Sequence, residues 1–333
     1  MKNYTFSIRL KAARQMLGLS LEQLSERMSH QVSKQSIMKY EQGKMKPKAK
    51  TMKILTTALN ISQEYLFGNG RSINTPMLRN AFNNSLPPEN IEEIEAQLAF
   101  WSEQYIEAEK KAGMELSFIN PLKDIYVSDL SDVSEAADFL RRAWNCGSGP
   151  IPSILRLMER KGIKILDMRL PNDVLGLSTW ADEKYPLVIL DTANERQTVE
   201  CLRFTAAHEL AHLVLNIPQK IVGKEREKLC NKFAGCFLLP HSTLTEEIGS
   251  DTRQTVTLEE LIDLHEVYGV SIAALVHELW DFRIISREHY DWWYDERIKK
   301  NKSEKGWGTY VFPETIGREK RINSNNNLKT NDI

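Results

Sequence analysis

A chain of 333 residues is long enough for two or three domains with a sizeable core, and its 41% hydrophobic and 27% charged content is that of an ordinary globular protein. No apolar run approaches the roughly 20 residues that span a bilayer, and the N-terminal stretch MKNYTFSIRLKAARQ lacks a signal peptide's apolar core. Cys146, Cys201, Cys230 and Cys236 form no CxxC pair, so the expectation is a reduced cytoplasmic protein with no disulfide framework and no membrane partner.

Residues 8–67 read as a run of short amphipathic helices. Leu10, Ala13, Met16 and Leu17 share one face, and Gly18 ends that helix. Ser20 begins a second helix with Leu21, Leu24 and Met28 as its stripe. Ser33 caps a third, with Ile37 and Tyr40 inward and Gly43 at its end. The basic loop KMKPKAKT and two more helices complete the segment. Such closely spaced helices predict a helix-turn-helix domain over residues 1–70. The charge agrees: residues 1–70 hold 12 Lys/Arg against 4 Asp/Glu, while the remainder holds 32 against 41. A basic head on an acidic body suits a polyanionic partner for the head alone.

Residues 71–125 read as a linker rich in Asn, Ser, Gly and Pro, then an amphipathic helix from about Glu89 to Lys111. In that helix Ile91, Ile94, Leu98, Trp101 and Tyr105 keep a coiled-coil spacing over about two heptads. Homodimerisation through this seam is one reading, and packing back onto its own chain is the favoured one. An α+β pattern follows over residues 126–250. It comprises the helix SDVSEAADFLRRAW, a glycine-rich break without the GK of a phosphate loop, and a helix opening with Pro152. Strands are expected at Ile163–Leu166 and on either side of a tight turn at Asp182–Lys184. Two long helices come next, NERQTVECLRFTAAHELAHLVLN and EREKLCNKFAGCFLLP, the second stopped by Pro240. Residues 251–300 read as a helical extension. Between Thr255 and Ile285 it carries six Asp/Glu and one Arg, which would repel phosphates. Residues 301–333 are a polar tail, with disorder expected from Asn323 and GWGTYVFPE left as a segment that either docks or does not.

The segment HELAH, residues 208–212, puts two histidines one helical turn apart, so both imidazoles can chelate one ion, with Glu209 beside it as general base. A peptidase site needs a third ligand and one open position. Glu225, Glu227, His241, Glu246 and Glu247 are the candidates. Glu227 is favoured because it shares a helix face with Cys230, Asn231 and Ala234, two of them small enough for close helix approach. His241, beyond Pro240, is read as a substrate-side donor. Extended substrate would pair with an edge strand, either Leu175–Asp182 or Tyr185–Asp191.

In motif and spacing, RFTAAHELAHLVLN followed by EREKLCNKFAGCFLLP resembles the ImmA/IrrE family of metallopeptidases, from about Ser131 to Trp293, including the GPIP and YGVS segments. The resemblance implies an α+β, zincin-like (gluzincin-type) domain. It implies one zinc per chain on His208, His212 and Glu227, with Glu209 as catalytic base, and a partner helix-turn-helix repressor as substrate. Cys230 stands where similar sequences commonly have Ala. Residues 8–68 resemble the XRE/Cro-repressor type of helix-turn-helix, which implies a third helix in the major groove of double-stranded DNA. Ser33, Lys34, Gln35, Ser36 and Lys39, with Lys44 beyond, are then its contacts, Gln35 suited to adenine and Lys39 and Lys44 to phosphates. Leu21 replaces a frequent glutamine, and Ser29–Gln31 lengthen the turn. The expectation is therefore a multidomain protein: an all-α DNA-binding head, a zinc endopeptidase that cuts a partner repressor, and a helical extension. The alternative is a non-catalytic DNA-binding regulator or antitoxin whose metal site is sensory or structural. The oxyanion-stabilising residue is not legible, and zinc is inferred from ligand type alone.

Overall fold

The computed structural model describes residues 2–75, 77, 86–171, 174–195, 197–249 and 252–331. The chain falls into two compact units: residues 1–117 with 179–187 and 317–333, and residues 118–178 with 188–316. No helix among the described residues is long and apolar enough to cross a membrane.

The first unit begins with α1 (Lys2–Met16), α2 (Leu21–Arg27), α3 (Lys34–Glu41), α4 (Ala49–Leu59) and α5 (Gln63–Leu66). Local chemistry places their ends. Gly18 takes φ +66 after α1, Ser20 forms a capping box with Gln23, and Ser33 accepts from Ser36 N at the start of α3. Leu10, Ala13, Leu24, Ile37, Leu55 and Leu59 are fully buried at the centre. The longer turn at Ser29–Gln31 is accommodated by left-handed backbone at Ser29 and His30, φ +52 and +55. Beyond the head, Ile73 bridges antiparallel to Ala181, and Arg71 pairs with Asp182. The rest of the expected linker, at residues 76, 78–85, lies outside the described residues.

Helix α6 (Pro88–Ala112) starts on a proline and ends at Gly113 in the left-handed region. Its seam residues Ile91, Ile94, Leu98, Trp101 and Tyr105 are all buried, against α1 and the C-terminal helix (Arg318–Asn331) of the same chain. Residues 323–331 are thus helical where polar composition led to an expectation of disorder from Asn323. The reason is local docking. Ile322 is buried, Arg318 pairs with Glu109, and the Asn325 and Asn326 amides donate to the Ala112 and Ala108 carbonyls. The Ala112 carbonyl lies at the very end of α6, where helices leave acceptors unfilled.

The second unit contains α7 (Leu130–Trp144) and α8 (Ile154–Arg160), and a three-stranded sheet follows along the chain, of which residues 179–187 fall in the first unit. The sheet is β1 (Lys164–Asp167), β2 (Gly176–Ala181) and β3 (Tyr185–Leu190), in the order β1-β3-β2. Helix α8 starts after the Ser153 cap, two residues later than Pro152. Buried Arg141 donates to the carbonyls of Gly147, Gly149 and Phe237, which fixes the glycine-rich break. Strand β3 is central and its last five residues are buried, so Tyr185–Asp191 is not an edge, whereas β2 lies at the margin of the sheet. The turn between β2 and β3 uses Asp182 and Glu183 at φ +52 and +53, a conformation that matches strand twist.

Next come α9 (Val199–Val214), α10 (Lys224–Leu238), α11 (His241–Ile248), α12 (Leu258–Tyr268), α13 (Ile272–Asp281) and α14 (Arg287–Trp292), the last running into a π-helical turn at Trp293–Ile298. The segment after Asn301 docks on this unit as a strap. Trp307 and Tyr310 are buried, Glu304 accepts from Ile272 N and Ala273 N, and Glu314 accepts from Ile154 N and Leu155 N.

Candidate metal centre

Helix α9 is opened by Thr198, whose side chain accepts from Cys201 N. The spacing of His208 and His212 sets their Nε2 atoms 3.1 Å apart on one face. Helix α10 returns beside α9, and Ala206, Ala207, Ala211, Cys230 and Ala234 are wholly buried, so small side chains allow a close approach. That approach brings Glu227 Oε2 to 3.1 Å from His208 Nε2 and 3.6 Å from His212 Nε2. The ligand atoms of His208, His212 and Glu227 all lie within 4.8 Å of one another, and no other His/Cys/Asp/Glu group of this kind occurs among the described residues. Glu225, Glu246 and Glu247 lie outside it. So does His241, which opens α11 and stacks its ring on Phe282 at 4.2 Å.

These residues fit a tetrahedral cation. Bonds of about 2.0–2.1 Å would space the ligand atoms of such an ion about 3.3 Å apart, and the observed edges are 3.1, 3.1 and 3.6 Å. The electrostatics point the same way. Hydrogen bonds from His208 and His212 hold the Glu227 carboxyl far below its usual range, against burial. For His208, burial opposes the charged form. The hydrogen bond to Glu227 and the charges of Glu209 and Glu227 outweigh it and raise the pKa. A pocket that retains a proton and keeps its carboxylate ionised favours positive charge. Glu227 is 48% exposed against 16% and 17% for the two histidines, so the set is reachable from solvent on the Glu227 side.

Glu209 is 7% exposed, and Ser178 Oγ donates to its Oε2 at 2.7 Å. Reading the sequence missed Ser178. A glycine two residues earlier makes the contact possible: a Cβ at Gly176 would lie 2.6 Å from Thr205 Cγ2 and 3.3 Å from Glu209 Cγ. Residues 176 and 178 face the same side of β2. The GxS spacing was thus visible, but nothing in one strand names the helix residue it meets. Asn231 Oδ1 lies 2.8 Å from His208 Nδ1, and Cys230 Sγ lies 3.5 Å from His212 Nδ1.

Residues 158–279 match the model of a peptidase family described as the IrrE N-terminal-like domain, and residues 10–66 match one described as helix-turn-helix. Over the first of these segments the chain is similar to that peptidase family. It also carries a helix-turn-helix domain, and no curated protein matches the chain. The IrrE-like match runs from α8 through most of α13, so it contains Ser178, His208, Glu209, His212, Glu227, Cys230 and Asn231.

In the helix-turn-helix domain, α3 presents Gln35 and Lys39 on its exposed side, and Lys44 is exposed just beyond it. Ser33 and Ser36 are instead engaged with each other, their hydroxyls 3.1 Å apart at the cap. Lys34 pairs with Glu22 across α2 and α3 at 2.9 Å. Of the six expected DNA contacts, three are therefore unencumbered by these contacts: Gln35, Lys39 and Lys44.

Proposed function

We propose that this chain is a zinc-dependent endopeptidase that regulates transcription by cutting a partner helix-turn-helix repressor, with its own head on double-stranded DNA. The observation that carries the reading is the convergence of His208, His212 and Glu227 beside Glu209. A peptidase domain and a helix-turn-helix domain in one chain support a DNA-binding, protease-like regulator. A three-residue ligand set suits catalysis better than structure, because structural zinc fills all four positions with protein ligands.

In this reading His208 and His212 bind through Nε2 and Glu227 through a carboxylate oxygen. A zinc ion held there would supply Lewis acidity toward the scissile carbonyl and the attacking water. Glu209 takes the proton from that water and passes it to the leaving amine. Ser178 holds Glu209 Oε2, which leaves Oε1 for proton transfer. Lys39 and Lys44 contact phosphates, and Gln35 reads a base edge.

Metal content and cleavage test the proposal together. Elemental mass spectrometry of the full chain should find about one zinc in the wild type and a marked loss in His208→Ala and Glu227→Ala. Glu209→Gln should keep its zinc and lose cleavage of a purified helix-turn-helix repressor that the wild type cuts by about 100-fold or more. A wild-type chain that stays metal-free when zinc is supplied would overturn the peptidase reading. A Glu209→Gln variant with unchanged biological output would favour a non-catalytic regulator.

A further inference from the structure

We propose that Asn231 is a positioning residue of the metal centre, locking His208 in the tautomer and ring orientation that direct Nε2 at the ion. The inference rests on the metal-centre reading above and assigns a role that the ligand set alone does not. Asn231 Oδ1 lies 2.8 Å from His208 Nδ1. A carboxamide oxygen only accepts, so His208 Nδ1 carries the proton and donates it. In the neutral imidazole that can ligate, Nε2 then keeps its lone pair, and Nε2 is the atom 3.1 Å from both Glu227 Oε2 and His212 Nε2. Asn231 stands four residues after Glu227 on α10. One helix face therefore supplies both the carboxylate ligand and the group that aims an imidazole.

His212 is held differently. The neighbour of its Nδ1 is Cys230 Sγ at 3.5 Å, and a thiol can donate or accept, so this contact leaves the tautomer open. The two histidines are thus unequal: one is locked, and one is not. Exposure separates this account from simple packing. Cys230 is fully buried and Asn231 is exposed. If α10 mattered only as a scaffold, removing the buried thiol would do more damage than removing the exposed amide. Tautomer control predicts the reverse order.

The experiment measures zinc affinity of the full-length protein by competition with a chromophoric chelator, and the visible spectrum of the cobalt(II)-loaded protein. The variants are Asn231→Ala, Asn231→Asp and Cys230→Ala. Asn231→Ala should weaken zinc binding about 10- to 100-fold and shift the cobalt bands, Asn231→Asp should recover most of the affinity through its acceptor oxygen, and Cys230→Ala should stay within roughly threefold of wild type. Metal-free wild type and Asn231→Ala should melt together. Wild-type affinity and spectrum in Asn231→Ala, or a larger loss in Cys230→Ala, overturn the assignment while leaving the metal centre standing. A wild type that takes up neither ion overturns both.

Discussion

A proton and a metal ion compete for the same lone pair on His208, and the surrounding groups strengthen the proton's claim. Burial works against the imidazolium, but Glu227, Glu209 and Asn231 together raise the His208 pKa above its ordinary value. The sign follows directly. A raised pKa means that protonation overtakes metal binding at a higher pH on acidification, and a protonated imidazole cannot ligate. Zinc should therefore stay bound through buffer exchange at about pH 7.5 and be lost on acidification, by about pH 5.5. Elemental analysis after dialysis at each pH checks this, and retention of zinc at the lower pH would count against histidine ligation. The HELAH positions and the candidacy of Glu227 were legible in the sequence because helical spacing is a local property. Ser178 was not, since its partner Glu209 is 31 residues away along the chain.

At the scale of elements, the strap shows carboxylates acting as helix caps supplied from a distance. Glu304 serves the N-terminus of α13 and Glu314 that of α8, where unfilled N–H groups and the helix dipole favour negative charge. Glu314 also pairs with Arg203 on α9, both side chains being wholly buried. Arg203 donates in addition to the carbonyls of Ile151, Tyr268 and Gly269, and Tyr310 lies over its guanidinium at 4.7 Å. Removing one partner of a buried pair leaves a charge without its counter-ion. Glu314→Ala should accordingly cost about 3–5 kcal/mol, read as a lower urea midpoint with unchanged slope. A shift within error would mean that the strap is held by its aromatic residues alone. Composition could not settle whether GWGTYVFPE docks, because docking depends on what the three segments around Arg203 offer. The polar C-terminal helix makes the same point. Its asparagines looked like markers of disorder, yet one of them caps the end of α6.

For the molecule as a whole, the division of charge is the property with the widest consequence. Residues 1–70 are strongly basic within a chain whose net charge is only −1, so salt should act on the head's affinity for DNA. Lys39→Ala should weaken binding about uniformly across DNA sequences and reduce the slope of log affinity against log salt by about 0.9. Fluorescence anisotropy over a salt series checks this, and an unchanged slope would remove Lys39 from the phosphate contacts. The sequence by itself determined the Gly18 stop and the Ser20 and Ser33 caps of the head, the two family resemblances and the shared face of His208 and His212, because caps, glycine stops and four-residue spacing act over a single turn. It also marked β2 and β3 as neighbours through their tight turn. Only the tertiary structure decided that Glu227, and not Glu225, joins the histidines, that Ser178 grips Glu209, that Asn231 meets His208, and that the strap closes on Arg203. Each of those contacts joins segments well separated along the chain, and side-chain distance across two packed elements has no periodicity a sequence can display.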